Sequence, residues 1–446
     1  MRHLFPLDPT RKRVVASPAP ILENRAMTPD QKAAFARTFP VHVGVDTGKR
    51  FHVLVARGPD GLRRKPMKVL VSREGFERAD AELQGLFPDI ERSRMLIGLE
   101  FAGHHGFTFA HFLANRGYPI VNVLPAHTKR TKELEDNSPL KTDAKDAGVI
   151  CKLVGDGTFV RFPFLESPYA ELRVLVSFRH RLAVEATRFK NRLQGLLDLA
   201  WPEFVAQFST LAKHTPIGLL ERWPLPQDLL AAHKATVRAY ARKISKGKFV
   251  AERFARLYTS ARETIALPQA TTERRMEILG TLARWRLVRK QMIEAEARLT
   301  ELMARLPSAQ ALLTVPEVSA VCAATILAEL GTPGDYQHPR QVLKLAGMNL
   351  IEKSSGSSQG RRRQSKRGRP MLRRQLFLLA GRWCQRRGLY RSYYEALLAR
   401  NGGLKTKAVC AIARKLVPLL LAVLQRGQPF DQARWEAARH QPALTH

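Results

Sequence analysis

Apolar positions along this chain follow two different rhythms. From residue 41 to about 156 the apolar runs are short. Those at 41–46 and 51–56 flank Thr47-Gly48-Lys49-Arg50 and predict a hairpin, with further strands near 67–72, 95–100 and 119–123. Helical spacing fills the intervals at 74–87, 105–116 and about 142–154. The order βββαβαβα predicts a mixed sheet with flanking helices.

Beyond residue 156 the rhythm becomes helical. Leu172, Leu175, Leu182, Phe189, Leu193 and Leu196 fall on related faces of one long helix over 167–200. A second helix is expected over 272–306. There Ile278, Leu282, Trp285, Met292, Leu299, Met303 and Leu306 keep a 4-3 spacing interrupted by Arg289 and Glu296. Two such helices fit an antiparallel coiled-coil arm, within one chain or between protomers, and equally fit simple packing inside one domain. Between them, 201–270 is broken by Pro202, Pro216, Pro224, Pro226 and Pro268 and has no assignable role. A helix–turn–helix follows over 311–347, then the strongly basic stretch 353–374, then an amphipathic helix over 405–425 carrying Pro418. The expected organisation is a flexible basic tail (1–39), an α/β domain (40–156), a helical region (157–309) with an insertion at about 201–270, a mainly α C-terminal domain (310–435) and a short tail (436–446).

Composition adds a partner. Lys and Arg number 74 against 39 Asp and Glu, a formal charge of +35. Such a surplus implies a polyanion, with binding that falls steeply as salt rises. The four cysteines lie far apart with no CxxC, which argues against zinc and a disulfide framework and fits a reducing cytoplasm. No apolar run approaches the ~20 residues of a membrane span; 417–424 is short and holds a proline. A soluble, cytoplasmic protein without membrane contact is expected.

Against this basic background four acids stand out. Asp46 and Glu100 each end an apolar strand pattern, and Asp143 and Asp146 lie three apart on one helix face. The strand order is that of an RNase H-like fold, whose first and fourth strands carry neighbouring acids. Taken singly, each is more often a cap or a solvated surface group than a ligand. As a set they are the oxygen ligands that hard divalent cations require, and two magnesium ions about 3.5–4 Å apart suit phosphodiester chemistry. Glu133, Glu135 and Asp136 form a competing acidic cluster, read as loop.

A second constellation is Lys353-Ser354-Ser355-Gly356-Ser357-Ser358-Gln359-Gly360, followed by Arg361, Arg362, Arg363, Lys366, Arg367, Arg369, Arg373 and Arg374. A free hydroxyl is a weak nucleophile unless a base, a metal or an oriented positive field activates it. Glycines allow close backbone approach and arginines clamp phosphate bidentately. By composition alone, a Ser/Gly loop with phosphate-contacting arginines explains the stretch at least as well.

These residues together resemble a known family, the DEDD transposases of the "one-ten" insertion-sequence group, described as bridge-RNA-guided recombinases. The resemblance runs through Val43-Gly44-Val45-Asp46-Thr47, Ile97-Gly98-Leu99-Glu100, Lys141-Thr142-Asp143-Ala144-Lys145-Asp146-Ala147, Leu345-Ala346-Gly347-Met348, Ser355-Gly356-Ser357-Ser358 and the run from Ser365 to Arg374, and covers about 41–156 and 310–435. It implies that Asp46, Glu100, Asp143 and Asp146 are the metal-binding set of a RuvC-like domain using Mg2+. It implies Ser355 as nucleophile, with Ser354 one residue away as the alternative. It further implies donor and target DNA, a structured guide RNA and a homo-oligomer, dimer or tetramer, that shares composite sites. Two departures stand out. The family's Pro-Gly-x-Gly hairpin reads Pro316-Glu317-Val318-Ser319 here, and 201–270 is longer than the family minimum. The rival readings are a metal-dependent nuclease or junction resolvase that uses the acids alone, and a non-catalytic nucleic-acid-binding protein.

Overall fold

The computed structural model describes residues 27–101, 103–135, 142–161, 165, 167–352, 360, 362–385 and 390–440. The chain divides into two units, Met1–Phe164 with Gly334–His338, and Leu165–Pro333 with Pro339–His446.

The first unit contains α1 (Pro29–Arg37), β1 (Val41–Thr47), β2 (Phe51–Arg57), β3 (Met67–Leu70), α2 (Arg73–Leu86), β4 (Met95–Glu100), α3 (Phe107–Asn115), β5 (Ile120–Val123), α4 (Pro125–Glu135), α5 (Asp143–Gly155) and β6 (Val160–Arg161). The sheet runs β3-β2-β1-β4-β5-β6. The β1–β2 and β2–β3 pairs are antiparallel, β1–β4 and β4–β5 parallel, and β5–β6 antiparallel. The expected α/β domain with a mixed sheet is therefore present, with one further edge strand. Because strand side chains alternate, β1 sends Val41, Val43 and Val45 to one face, where they join Ile97, Leu99, Phe76, Leu83, Phe109 and Leu113 in a core closed by α2 and α3. The opposite face is covered by α5, whose Val149, Ile150 and Val154 pack with Leu96, Val121 and Val123.

Two expectations need correcting here. Residues 29–37, read as part of a tail, form helix α1. Thr28 and Gln31 make a reciprocal capping box, Pro29 takes the first turn, Ala36 is fully buried, and the Lys32 Nζ donates to the Phe159 carbonyl at 2.9 Å. Glu133 and Glu135, read as loop, end helix α4; Asp136 lies outside the described residues.

The second unit is helical: α6 (Tyr169–Ala200), α7 (Pro202–Ala206), α8 (His214–Arg222), α9 (Pro226–Ala231), α10 (Lys234–Ile244), α11 (Ala251–Arg262), α12 (Thr271–Ala304), α13 (Pro307–Leu313), α14 (Ala320–Leu330) and α15 (Pro339–Leu345), the short strands β7 (Leu350–Ile351) and β8 (Arg363–Gln364), then α16 (Pro370–Trp383), α17 (Arg391–Arg400), α18 (Lys405–Arg426) and α19 (Gln432–His440). Helices α6 and α12 are an antiparallel pair within one chain. Leu193 and Leu197 share a core with Ile278 and Leu282, Leu182 meets Val288 and Met292, and the Arg179 guanidinium binds Glu296. Helix α12 stops at Ala304; Leu306 caps α13 instead of continuing the repeat.

The stretch 201–270 is not irregular. Pro202 and Pro226 open α7 and α9, Pro216 sits in the first turn of α8, and the five helices α7 to α11 fold around Trp201, Phe204, Trp223 and Leu229. In the altered hairpin, Glu317 takes a left-handed conformation (φ 63°), the geometry that favours glycine, and the Trp383 Nε1 donates to the Pro316 carbonyl at 2.8 Å. Helix α18 is long and apolar enough to cross a membrane by length and composition, contrary to expectation, although half of that stretch is buried inside the structure, with Ile412, Leu416 and Leu420 in the core.

Candidate active site

The acids are positioned by glycines. In the parallel β1–β4 pair, Gly44 faces Gly98 and, two residues on, Asp46 faces Glu100. Side chains two apart share a sheet face, so both acids and both glycines lie on the α5 side. A Cβ on Gly44 would stand 2.1 Å from the Cys151 nitrogen and 2.3 Å from the Ala147 carbonyl oxygen; one on Gly98 would stand 2.1 Å from a Val154 methyl. The helix backbone therefore rests directly on the two strands. It runs opposite to β1, so its first turn, with Asp143 and Asp146, reaches the strand ends where Asp46 and Glu100 sit. That turn is fixed by Thr142, whose hydroxyl accepts from the Lys145 N–H at 3.2 Å. Two carboxylates in the first helical turn also suit the helix dipole.

The electrostatics show that Asp46 senses the other three acids. Asp46 is pushed up to about 6, first by burial and then by the charges of Asp146, Asp143 and Glu100, with Lys132 opposing. Asp146 is buried and pairs with the Lys132 ammonium, which α4 supplies. Thr47 donates its hydroxyl to the Glu100 carbonyl at 2.7 Å, locking the end of β1 to β4. An all-oxygen donor set of this charge has the chemistry to hold a hard divalent cation. Among the described residues, however, no three Asp, Glu, His or Cys side chains close around a single point. Lys132 escaped the sequence reading because nothing in its spacing marks it. The glycines carried a readable signal, since Gly-x-Asp and Gly-x-Glu at period two close both acidic strands.

The serine loop stands differently. Lys353, Ser354, Ser355 and Arg361 lie outside the described residues. Of the flanking cations, Arg362 binds Glu352 at 2.7 Å. Arg369 donates to the Glu329 carbonyl at the end of α14, and Arg373 donates to the Ala346 carbonyl at 2.8 Å beyond α15. Those two guanidiniums satisfy orphan carbonyls at helix ends. Arg363, Lys366, Arg367 and Arg374 are exposed and have no ion pair among the described residues.

Comparison with known proteins bears on two stretches of the chain. A model of DEDD-type IS110 transposases matches residues 43–202, the stretch holding all four acids, and the model described as "Transposase IS116/IS110/IS902 family" matches 309–395. The chain belongs to the IS110 family of transposases. This transposase is also 28% identical over 295 residues to the "Insertion element IS110 uncharacterized 43.6 kDa protein" of Streptomyces coelicolor, covering 65% of the present chain and 72% of that relative. A DNA transposase is an enzyme of phosphodiester strand transfer, so DNA is its substrate.

Proposed function

We propose that this transposase cuts and exchanges DNA strands through a divalent-metal site and a serine nucleophile. Asp46, Glu100, Asp143 and Asp146 would hold Mg2+, which when bound supplies charge neutralisation at the scissile phosphate. The observation that carries the metal reading is the place of Asp46, buried beside three other carboxylates, which raises its pKa. A group of four acids offset by one lysine is incompletely neutralised, and a hard cation completes it. The strand order β3-β2-β1-β4-β5, with acids at the paired ends of β1 and β4, supports an RNase H-like, RuvC-like domain.

The chain's own part in the chemistry is nucleophilic. The Ser355 hydroxyl attacks the scissile phosphorus, a serine–phosphate bond forms, the P–O bond to the departing deoxyribose breaks, and that oxygen takes up a proton. Bond energy is thereby conserved, and a hydroxyl from a second duplex reverses the step onto a new strand. Arg363, Lys366 and Arg367, exposed and without an ion pair among the described residues, are available to grip phosphates without reading sequence. Sequence reading falls to base pairing with a structured guide RNA, and a homo-oligomer supplies acids and serine from different protomers; both rest on the family resemblance. The four free thiols are compatible with a cytoplasmic setting.

Recombination of a donor and a target plasmid in cells tests the metal half. Asp46→Ala is expected to abolish it, and recombination at the wild-type level would overturn the reading.

A further inference from the structure

Helix α10 and the turn after it carry an array of cations that neither the fold nor the proposed chemistry uses. Over residues 234–248 there are six, Lys234, Arg238, Arg242, Lys243, Lys246 and Lys248, and no acid. All six are exposed, and none has an ion pair among the described residues. Neighbouring elements differ: Arg275 pairs with Asp228, Arg286 with Glu221 and Arg298 with Glu301. Lys234, Arg238 and Arg242 recur every fourth residue along one ridge, a spacing at which like charges repel by a few tenths of a kcal/mol per pair. The nearest acids in sequence are Asp228 on α9, which binds Arg275, and Glu252 on α11; neither pairs with the ridge among the described residues.

The ridge is rigid. Val237 and Ala241 are fully buried beneath it, and the Tyr240 hydroxyl donates to the Gly218 carbonyl at 3.3 Å. Lys234 lies 4.8 Å from the centre of the Tyr258 ring. The following turn is closed by Gly247, whose N–H reaches the Arg242 carbonyl at 2.9 Å, and Ser245, whose hydroxyl accepts from Phe249 at 3.0 Å. The anchored helix sets the spacing of the cations before any ligand binds, although each side chain still loses rotamer freedom on contact.

We infer that this ridge, the working face of the 201–270 insertion, is a sequence-independent docking surface for the backbone of duplex DNA. Its length from Lys234 to Arg242, about 12 Å, spans three or four phosphates at about 3.4 Å of axis each. A single strand is less well suited, because the rings beside the ridge are already covered, Tyr240 by Trp223 and Arg222 and Tyr258 by Lys234. Choosing DNA rests on the transposase assignment, and the surface would hold a donor or target duplex.

The test is fluorescence anisotropy of the full chain on a random 30-base-pair DNA duplex across a salt series, with an RNA duplex of the same sequence as a second arm. The triple variant Lys234→Gln, Arg238→Gln, Arg242→Gln is compared with the wild type at matched circular dichroism and melting temperature. Each lost phosphate contact lowers the slope of log affinity against log salt by about 0.9, so the triple variant should lose roughly 2.7 on DNA. If the triple variant melts early, Arg238→Gln alone should lose about 0.9. An unchanged slope overturns the proposal, and so does a loss confined to the RNA duplex. Binding is read without turnover, so a negative result here leaves the Asp46→Ala recombination result standing on its own.

Discussion

Asp46 illustrates how the site trades stability for chemistry. Its carboxyl titrates near 6 in the folded chain, above the ordinary 3.8, so folding favours its protonated form. The sign follows: between about pH 4 and 6 the folded state holds more protons than the unfolded one, and stability falls as pH rises through that window. Asp46→Asn is therefore expected to raise the melting temperature above pH 6 and to leave it unchanged below pH 4, while recombination is lost. Thermal melts of both proteins across pH 3.5–8 check this; equal melts at pH 7 would contradict it. Lys132 acts in the other direction. Its side chain is 26% exposed and that of Asp146 10%, so the pair is mostly shielded from solvent. Lys132→Met should cost about 1–3 kcal/mol without added metal. It should also enlarge the thermal shift produced by Mg2+, because the ion then replaces the missing ammonium. A smaller Mg2+ shift than in the wild type would refute the shared role.

At the scale of elements, the decisive contact is α5 on the β1–β4 pair. Gly44→Ala forces a methyl against the α5 backbone, which cannot yield as a flexible side chain would. The expected cost is about 1–3 kcal/mol or more, with Asp143 and Asp146 displaced together. Denaturant unfolding measures the first effect, and loss of the Mg2+ thermal shift measures the second. Much of this element scale was legible in the sequence. The alternation Val41, Val43, Val45 gave the strand and its buried face, and the Asp143–Asp146 spacing on an amphipathic helix gave α5. What escaped has physical reasons. Helix α1 was signalled by Thr28-Pro29-Asp30-Gln31, but its short apolar stripe looked like tail beside so many charges. In 201–270, α7 and α9 are too short for periodicity to register, and the prolines around them hid the longer α10 and α11, which carry none. Arg369 and Arg373 looked like phosphate ligands because composition cannot tell a guanidinium that caps a helix from one that waits for a ligand. Lys132 became significant only through the tertiary approach of α4 to α5.

For the whole molecule, the charge of +35 is distributed in a purposeful way. The α/β unit gathers acids at the ends of its central strands β1 and β4, while the helical unit carries the cations of α10 and of the segment around Arg363, Lys366 and Arg367, which have no ion pair among the described residues. A transposase needs both: an oxygen-rich centre to engage a phosphate, and cationic surfaces to hold duplexes that carry one charge per ~1.7 Å. The serine loop at 353–359 completes the account. The central claim is that a hydroxyl from this loop stores the cut strand. The most direct measurement incubates the protein and the element's RNA with a nicked suicide DNA substrate, then maps any protein–DNA adduct by peptide mass spectrometry. The account predicts a Mg2+-dependent adduct on Ser355 that Ser355→Ala and Asp46→Ala both abolish. Cleaved DNA with no adduct, or an adduct that persists in Ser355→Ala, would contradict it.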